Sequence, residues 1–160
     1  MKTLMVCAII LYTTAGTNVA IVPTDPADEN VYGWVREMPQ YLIMACNLYN
    51  IPWRLAYNWS FAESSHNPKK ISHKEAYGRY QIKKVWLDDV CRLRKIKFPK
   101  NWQAYLLDDK NNCIIWAWSV NFWRRRGHSD KDIAQIWLFG LTGFREGGYS
   151  ARYEDVIFNY

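Results

Sequence analysis

The sequence predicts a predominantly helical α+β domain, with five to six or more short helices and one small β-hairpin or loop region around residues 71–82. Three observations lead there. Apolar residues recur at helical spacing between cap signals. One polar segment containing Gly78 interrupts that rhythm. The 160-residue length and 49% hydrophobic content suit one globular domain with a proper core. Six Pro and eight Gly are too few for a linker-rich or fibrous chain. No apolar run reaches the ~20 residues of a membrane span. The 16% aromatic content exceeds what a small core needs, so some rings are expected to face a ligand.

Lys2 precedes an apolar stretch from Leu4 to Tyr12, and small and polar residues then lead to Val19 and Ala20. That is the layout of a secretory signal peptide. Cleavage is expected after Ala20, with Ala15 and Gly16 as competing sites, leaving residues 21–160 as a single exported domain; the plainer alternative is an uncleaved anchor or a first core helix. Cys46, Cys91 and Cys113 remain after cleavage. Either Cys91 pairs with Cys113 and Cys46 sits on a helix face, or all three are buried thiols.

Pro39 suits the first turn of a helix over Tyr41–Tyr49, whose inner positions are Leu42, Ile43, Cys46 and Tyr49. Asn50 and Pro52 then open a helix with the stripe Ile51, Leu55, Ala56, Trp59 and Ala62. Pro68 biases Asn67 away from helix, so that helix ends near Ser65. A turn or hairpin follows at Ile71–Gln81. Val85, Trp86, Val90 and Leu93 mark the next helix, and another spans Lys110–Arg126, stopped by Gly127. Ser129 with Asp132 forms a capping box for Ile133–Phe139, and Ser150 caps a last helix through Tyr153, Val156 and Ile157.

Charge is uneven along the chain. Residues 21–63 carry Arg36 and Arg54 against five acids, a net of −3; residues 68–101 carry eleven basic residues against Glu75, Asp88 and Asp89, a net of +8. The second segment reads either as a solvated face or as a surface for an anionic partner.

Glu63 stands four positions after Trp59 and seven after Ala56, at the edge of the apolar stripe near the end of its helix. Apolar neighbours and the negative end of the helix dipole both oppose its ionisation. A carboxyl raised in this way keeps a proton near neutral pH and can donate it to a leaving oxygen. The plainer alternative is that Glu63 runs into solvent at the helix end or pairs with Arg54 or Lys69.

The residues after Glu63 extend the pattern. Glu63-Ser64 ends a helix, Asn67-Pro68 and Ile71-Ser72 follow, and Gly78-Arg79-Tyr80-Gln81-Ile82 comes next. This series, with Tyr49-Asn50-Ile51-Pro52 before it, resembles the lytic transglycosylases of the lysozyme-like superfamily over about residues 40–90. Trp137-Leu138-Phe139-Gly140 stands where the family has Tyr-Asn-x-Gly and lacks the Asn, and Arg152-Tyr153 with Val156 loosely resembles its closing Tyr motif.

The resemblance implies a lysozyme-like fold. It also implies cleavage of the β-1,4 bond between N-acetylmuramic acid and N-acetylglucosamine in peptidoglycan, at the cell wall in the periplasm or outside the cell. Glu63 would serve as the single acid and base. Ser64 would orient it, Gln81 and the backbone at Gly78 would hold sugars, and Tyr80, Trp137 and Tyr153 would offer ring faces to pyranoses or else fill the core. No cofactor or metal is implied. The partners implied are glycan strands and a secretion-apparatus or phage wall-penetration component, with the protein a monomer.

A hydrolytic lysozyme is the nearest rival and needs a second carboxylate, for which Glu75, Asp88 and Asp89 are candidates. A non-catalytic glycan-binding protein on the same scaffold is the other. His66, His73 and His128 do not repeat at metal-ligand spacing and are expected at the surface. No Gly-x-Ser-x-Gly elbow or phosphate loop occurs. Arg124-Arg125-Arg126 favours the end of its helix rather than nucleic acid.

Overall fold

The computed structural model describes residues 31–159, so the expected signal segment 1–20 lies outside the described residues. Among the described residues there are eight helices and one two-stranded hairpin. No described helix is long and apolar enough to cross a membrane.

A short α1, Val31–Val35, precedes α2, Gln40–Tyr49, which buries Leu42, Ala45 and Cys46. Asn50 does not open the next helix as expected. It takes the left-handed conformation at φ 51° and closes α2, while its neighbour Ile51 donates to Cys46 O. Pro52 opens α3, Trp53–Ser64, which buries Leu55, Ala56 and Trp59 and ends at left-handed Ser65. Strands β1, Ala76–Tyr77, and β2, Ile82–Lys83, pair antiparallel with Ala76 opposite Lys83 and Tyr77 opposite Ile82.

Helix α4, Lys84–Arg94, starts directly from β2 and turns Leu87, Val90 and Cys91 inward. The expected inner residues Val85 and Leu93 are exposed. The 87, 90 and 91 positions form the tighter i, i+3, i+4 stripe, and Trp86 closes its edge by stacking on Trp137. Helix α5, Trp102–Leu107, was not legible: at six residues it is too short for a period, although Asn101 caps it through Ala104 N. Helix α6 spans Asp109–Arg124. Helix α7, Asp130–Arg145, opens with the capping box of Ser129 and Asp132 and kinks at Gly140, where φ is 75°. The expected end at Phe139 falls on this kink. Helix α8, Ala151–Phe158, is capped by Ser150 through Tyr153 N.

α2 packs along α6, and α3 along α8. A continuous core joins them around Trp59, Trp116, Tyr80, Leu106 and Ile133. The aromatic surplus goes largely into this core rather than outward. The Cys91–Cys113 pairing is not made, and Cys46, Cys91 and Cys113 are free buried thiols. Each sits on the inner face of its own helix, and Cys113 Sγ is aimed one turn back at Asp109 Oδ1, 3.8 Å away.

Candidate active site

Glu63 is the penultimate residue of α3, and two consecutive left-handed residues, Ser65 and His66, follow the helix's last residue, Ser64. Side-chain contacts stabilise this turn. His66 Nδ1 hydrogen-bonds Ser60 Oγ, and its ring lies 4.2 Å from that of Tyr57 and 5.5 Å from that of Phe61. His66 is therefore half-buried against α3, not a surface imidazole, and burial pushes its pKa down. Asn67 Oδ1 accepts from Lys69 N, shaping the loop that returns beneath the helix end.

Glu63 is half-buried, and its carboxyl is pushed up to about 7. Burial is the main cause. Working against it are the Tyr153 hydroxyl, the charges of Lys70 and Lys83, and the Trp59 indole. Tyr153 comes from α8, 90 residues away in sequence, and donates its hydroxyl to Glu63 Oε1. Burial and the adjacent carboxyl hold that phenol protonated. Lys70 Nζ donates to Glu63 O at 3.0 Å, placing a cation at the negative end of α3. Trp59 Nε1, one turn before Glu63, is close enough to act on the carboxyl but makes no hydrogen bond of good geometry.

Buried amides bring α8 to this position. Asn58 Nδ2 donates to Ile157 O at 3.1 Å. Gln135 Oε1 accepts from Ser150 N at 2.9 Å. Neither residue stood out in the sequence; the available signal was a polar residue within an apolar stripe. Beside Tyr153, a cleft of about 450 Å³ opens between α3, α7 and α8, walled by Phe61, Ala62, Ser65, Leu138 and Arg152 among others. Glu63 is not on its wall, and Tyr153 stands between the two.

The other expected sugar-binding residues take different places. Ser64 is buried and donates to Ser60 O one turn back, so it does not orient Glu63. Tyr80 has no exposed face: it stacks on Trp116 at 4.2 Å and donates to Ala56 O at 2.9 Å. Trp137 is 7% exposed, stacks on Trp86 and donates to Tyr80 O, so it too belongs to the core. Gly78 serves a close approach. At φ 76° it leaves no room for a side chain, since a Cβ would stand 2.4 Å from Asn112 Nδ2 and 2.6 Å from Leu106 O. Its N–H donates to Lys70 O and its carbonyl accepts from Gln81, so this backbone is committed to protein partners. Gln81 Nε2 is likewise bound to Lys70 O and Gly78 O. Its Oε1 has no protein partner among the described residues.

Arg79-Tyr80-Gln81 is thus a pinning device for the hairpin loop. Asn112, fully buried on α6, accepts from Tyr80 N and donates to Tyr77 O and Leu106 O. Arg79 forms a bidentate pair with Asp109 at 2.8 and 2.7 Å, and Tyr41 donates to the same carboxylate. Sequence reasoning missed Asn112 and Asp109, which become legible only when α6 is laid against the loop.

The rival second carboxylates are not among the groups acting on Glu63. Glu75 is exposed in a turn, Asp88 is exposed on α4, and Asp89 pairs with Arg92 at 2.8 Å. No cluster of three or more His, Cys, Asp or Glu that could hold a metal occurs among the described residues. Comparison of the chain with protein-family models and with curated proteins yields no match.

Proposed function

We propose that the protein is a peptidoglycan lytic transglycosylase on a lysozyme-like scaffold, with Glu63 as its single catalytic acid and base. The observation that carries the reading is a half-buried carboxyl at a helix end with pKa near 7, bonded to Tyr153 and attended by cations. Near neutral pH both protonation states are populated, as an acid that later serves as base requires. Hydrolysis by two carboxylates needs a partner acid beside the first, and the charges acting most on Glu63 are Lys70 and Lys83.

In this reading the Glu63 carboxylic acid protonates the glycosidic oxygen as the bond to the muramyl C1 breaks. The muramyl acetamido group supports C1 as the leaving sugar departs. The Glu63 carboxylate then takes the proton of the same residue's 6-hydroxyl, whose oxygen closes on C1. The proton given equals the proton recovered, no water enters, and the product carries a 1,6-anhydro end. Tyr153 occupies Oε1, which leaves Oε2 to carry the transferred proton. Residues 1–20 direct export, and the three cysteines, being enclosed, do not depend on an oxidising compartment.

Glu63→Gln tests the assignment. Clearing of purified wall should fall roughly a hundredfold or more, the scale of a lost general acid, while wall binding persists. Equal clearing by both proteins would overturn it.

A further inference from the structure

Two arginines from different helices bracket a pair of half-buried rings on α6. The guanidinium of Arg94, the last residue of α4, stands 5.9 Å from the centre of the Trp118 ring. Trp118 stacks on Phe122 at 5.1 Å, and the Arg126 guanidinium lies 3.3 Å from the centre of the Phe122 ring. We propose that this face, continued by the exposed segment 92–97, is a docking surface for a membrane containing anionic phospholipid. The proposal goes beyond the reading of Glu63 and does not depend on it.

Charge favours an anionic partner. Residues 90–107 hold Arg92, Arg94, Lys95, Lys97 and Lys100 and no acid, and all of these basic side chains are exposed. Arg92 is paired with Asp89. The others, and Arg126 at the far end of the ring pair, have no acidic partner among the described residues. Like charges gathered without acids repel one another, and a negative surface relieves that repulsion.

Apolar exposure selects the kind of anion. Leu93 is 41% exposed and Ile96 44%, and both stand among the cations. The inward stripe of α4 passes Leu93 by. Left-handed Lys95 then ends the helix, and Ile96 N donates back to Cys91 O at 3.0 Å. The two aliphatic side chains are thus displayed by a formed helix end. A soluble polyanion pairs with the cations and offers nothing to Leu93 or Ile96. The headgroup boundary of a bilayer offers phosphates to the cations and acyl chains to the aliphatic groups. Trp118 and Phe122 between their arginines suit the same boundary, where aromatic side chains settle. No described helix can cross a membrane, so the contact is peripheral.

The test is flotation of the full-length protein with vesicles of phosphatidylcholine alone and of an equal mixture with phosphatidylglycerol, at low and high salt. Arg94→Gln/Lys97→Gln removes charge, and Leu93→Ser/Ile96→Ser removes apolar contact. Lys74→Gln/Lys110→Gln makes the same change of charge in the turn before β1 and the first turn of α6. All six side chains are exposed, so the variants should fold, which circular dichroism checks. Every form shares residues 1–20, so any binding by that segment appears equally on the neutral vesicles. The unmodified protein should favour the anionic vesicles by on the order of tenfold or more, and the preference should shrink with salt. The charge variant and the apolar variant should each lose on the order of tenfold on anionic vesicles. The control should match the unmodified protein, and the apolar variant should bind heparin, a soluble polyanion, undiminished. No preference for anionic vesicles overturns the proposal. An apolar variant that binds vesicles fully overturns it in favour of a soluble polyanion, and a control that loses as much as the charge variant reduces it to net charge and overturns it. None of these changes touches Glu63, so wall clearing reports on that reading separately.

Discussion

Replacing Glu63 by Gln should make the folded protein more stable at neutral pH and leave it nearly unchanged in acid. The Glu63 carboxyl is raised from 4.5 to about 7 in the native state. Below pH 4.5 it is protonated whether the chain is folded or not, so it contributes no pH dependence. Between 4.5 and 7 the unfolded chain releases this proton while the native state holds it, and stability falls as pH rises. At about 1.4 kcal/mol per pH unit the loss is complete just above pH 7 and amounts to about 3 kcal/mol. Gln does not titrate and keeps an oxygen to accept from Tyr153. All other ionisable groups are common to both proteins, so the difference between them isolates Glu63. Urea unfolding from pH 4 to 8.5 should show a gap that opens in favour of the variant between 4.5 and 7 and is constant above. A gap that stays flat across that range would mean the carboxyl titrates alike in both states, and the reasoning from burial would be refuted.

Tyr153→Phe removes a hydrogen bond that lowers the Glu63 pKa, so the alkaline limb of the rate profile should move above pH 7. An NMR titration of the carboxyl checks this, and a downward move contradicts it. Gly78→Ala forces a Cβ against Asn112 and Leu106 O at positive φ and should cost about 2–4 kcal/mol in urea unfolding. Asp109→Ala strands the buried Arg79 guanidinium and should cost about 3–5 kcal/mol. Asp89→Ala, which breaks an exposed pair, should stay within about 1 kcal/mol.

Local signals in the sequence carry the helix boundaries well. The Ser129–Asp132 capping box, the Ser150 cap and the biased end of α3 before Pro68 are each written in adjacent residues, and each forms. Asn50 misled because an Asn between two helices can close the first as readily as open the second. Val85 and Leu93 misled because two stripes on α4 share Val90, and the choice depends on what the helix lies against. The candidate acid was legible because its apolar neighbours are one and two turns away on its own helix. Its partner Tyr153 lies 90 residues on, and only the docking of α8 joins them. Tyr80 and Trp137 illustrate the opposite error. An aromatic ring in a motif suits a sugar or a core equally, and the stacks of Tyr80 on Trp116 and of Trp137 on Trp86 decide for the core. The Arg79–Asp109 and Asn112 contacts that hold the loop are long-range pairings, which periodicity does not encode.

Mass spectrometry of the soluble fragments released from purified peptidoglycan addresses the central claim most directly. A lone acid that returns its proton through the sugar's own hydroxyl yields muramyl ends one water lighter than ordinary ones and not reducible by borohydride. Fragments with full-mass, reducible ends would show that water is the acceptor and contradict the account.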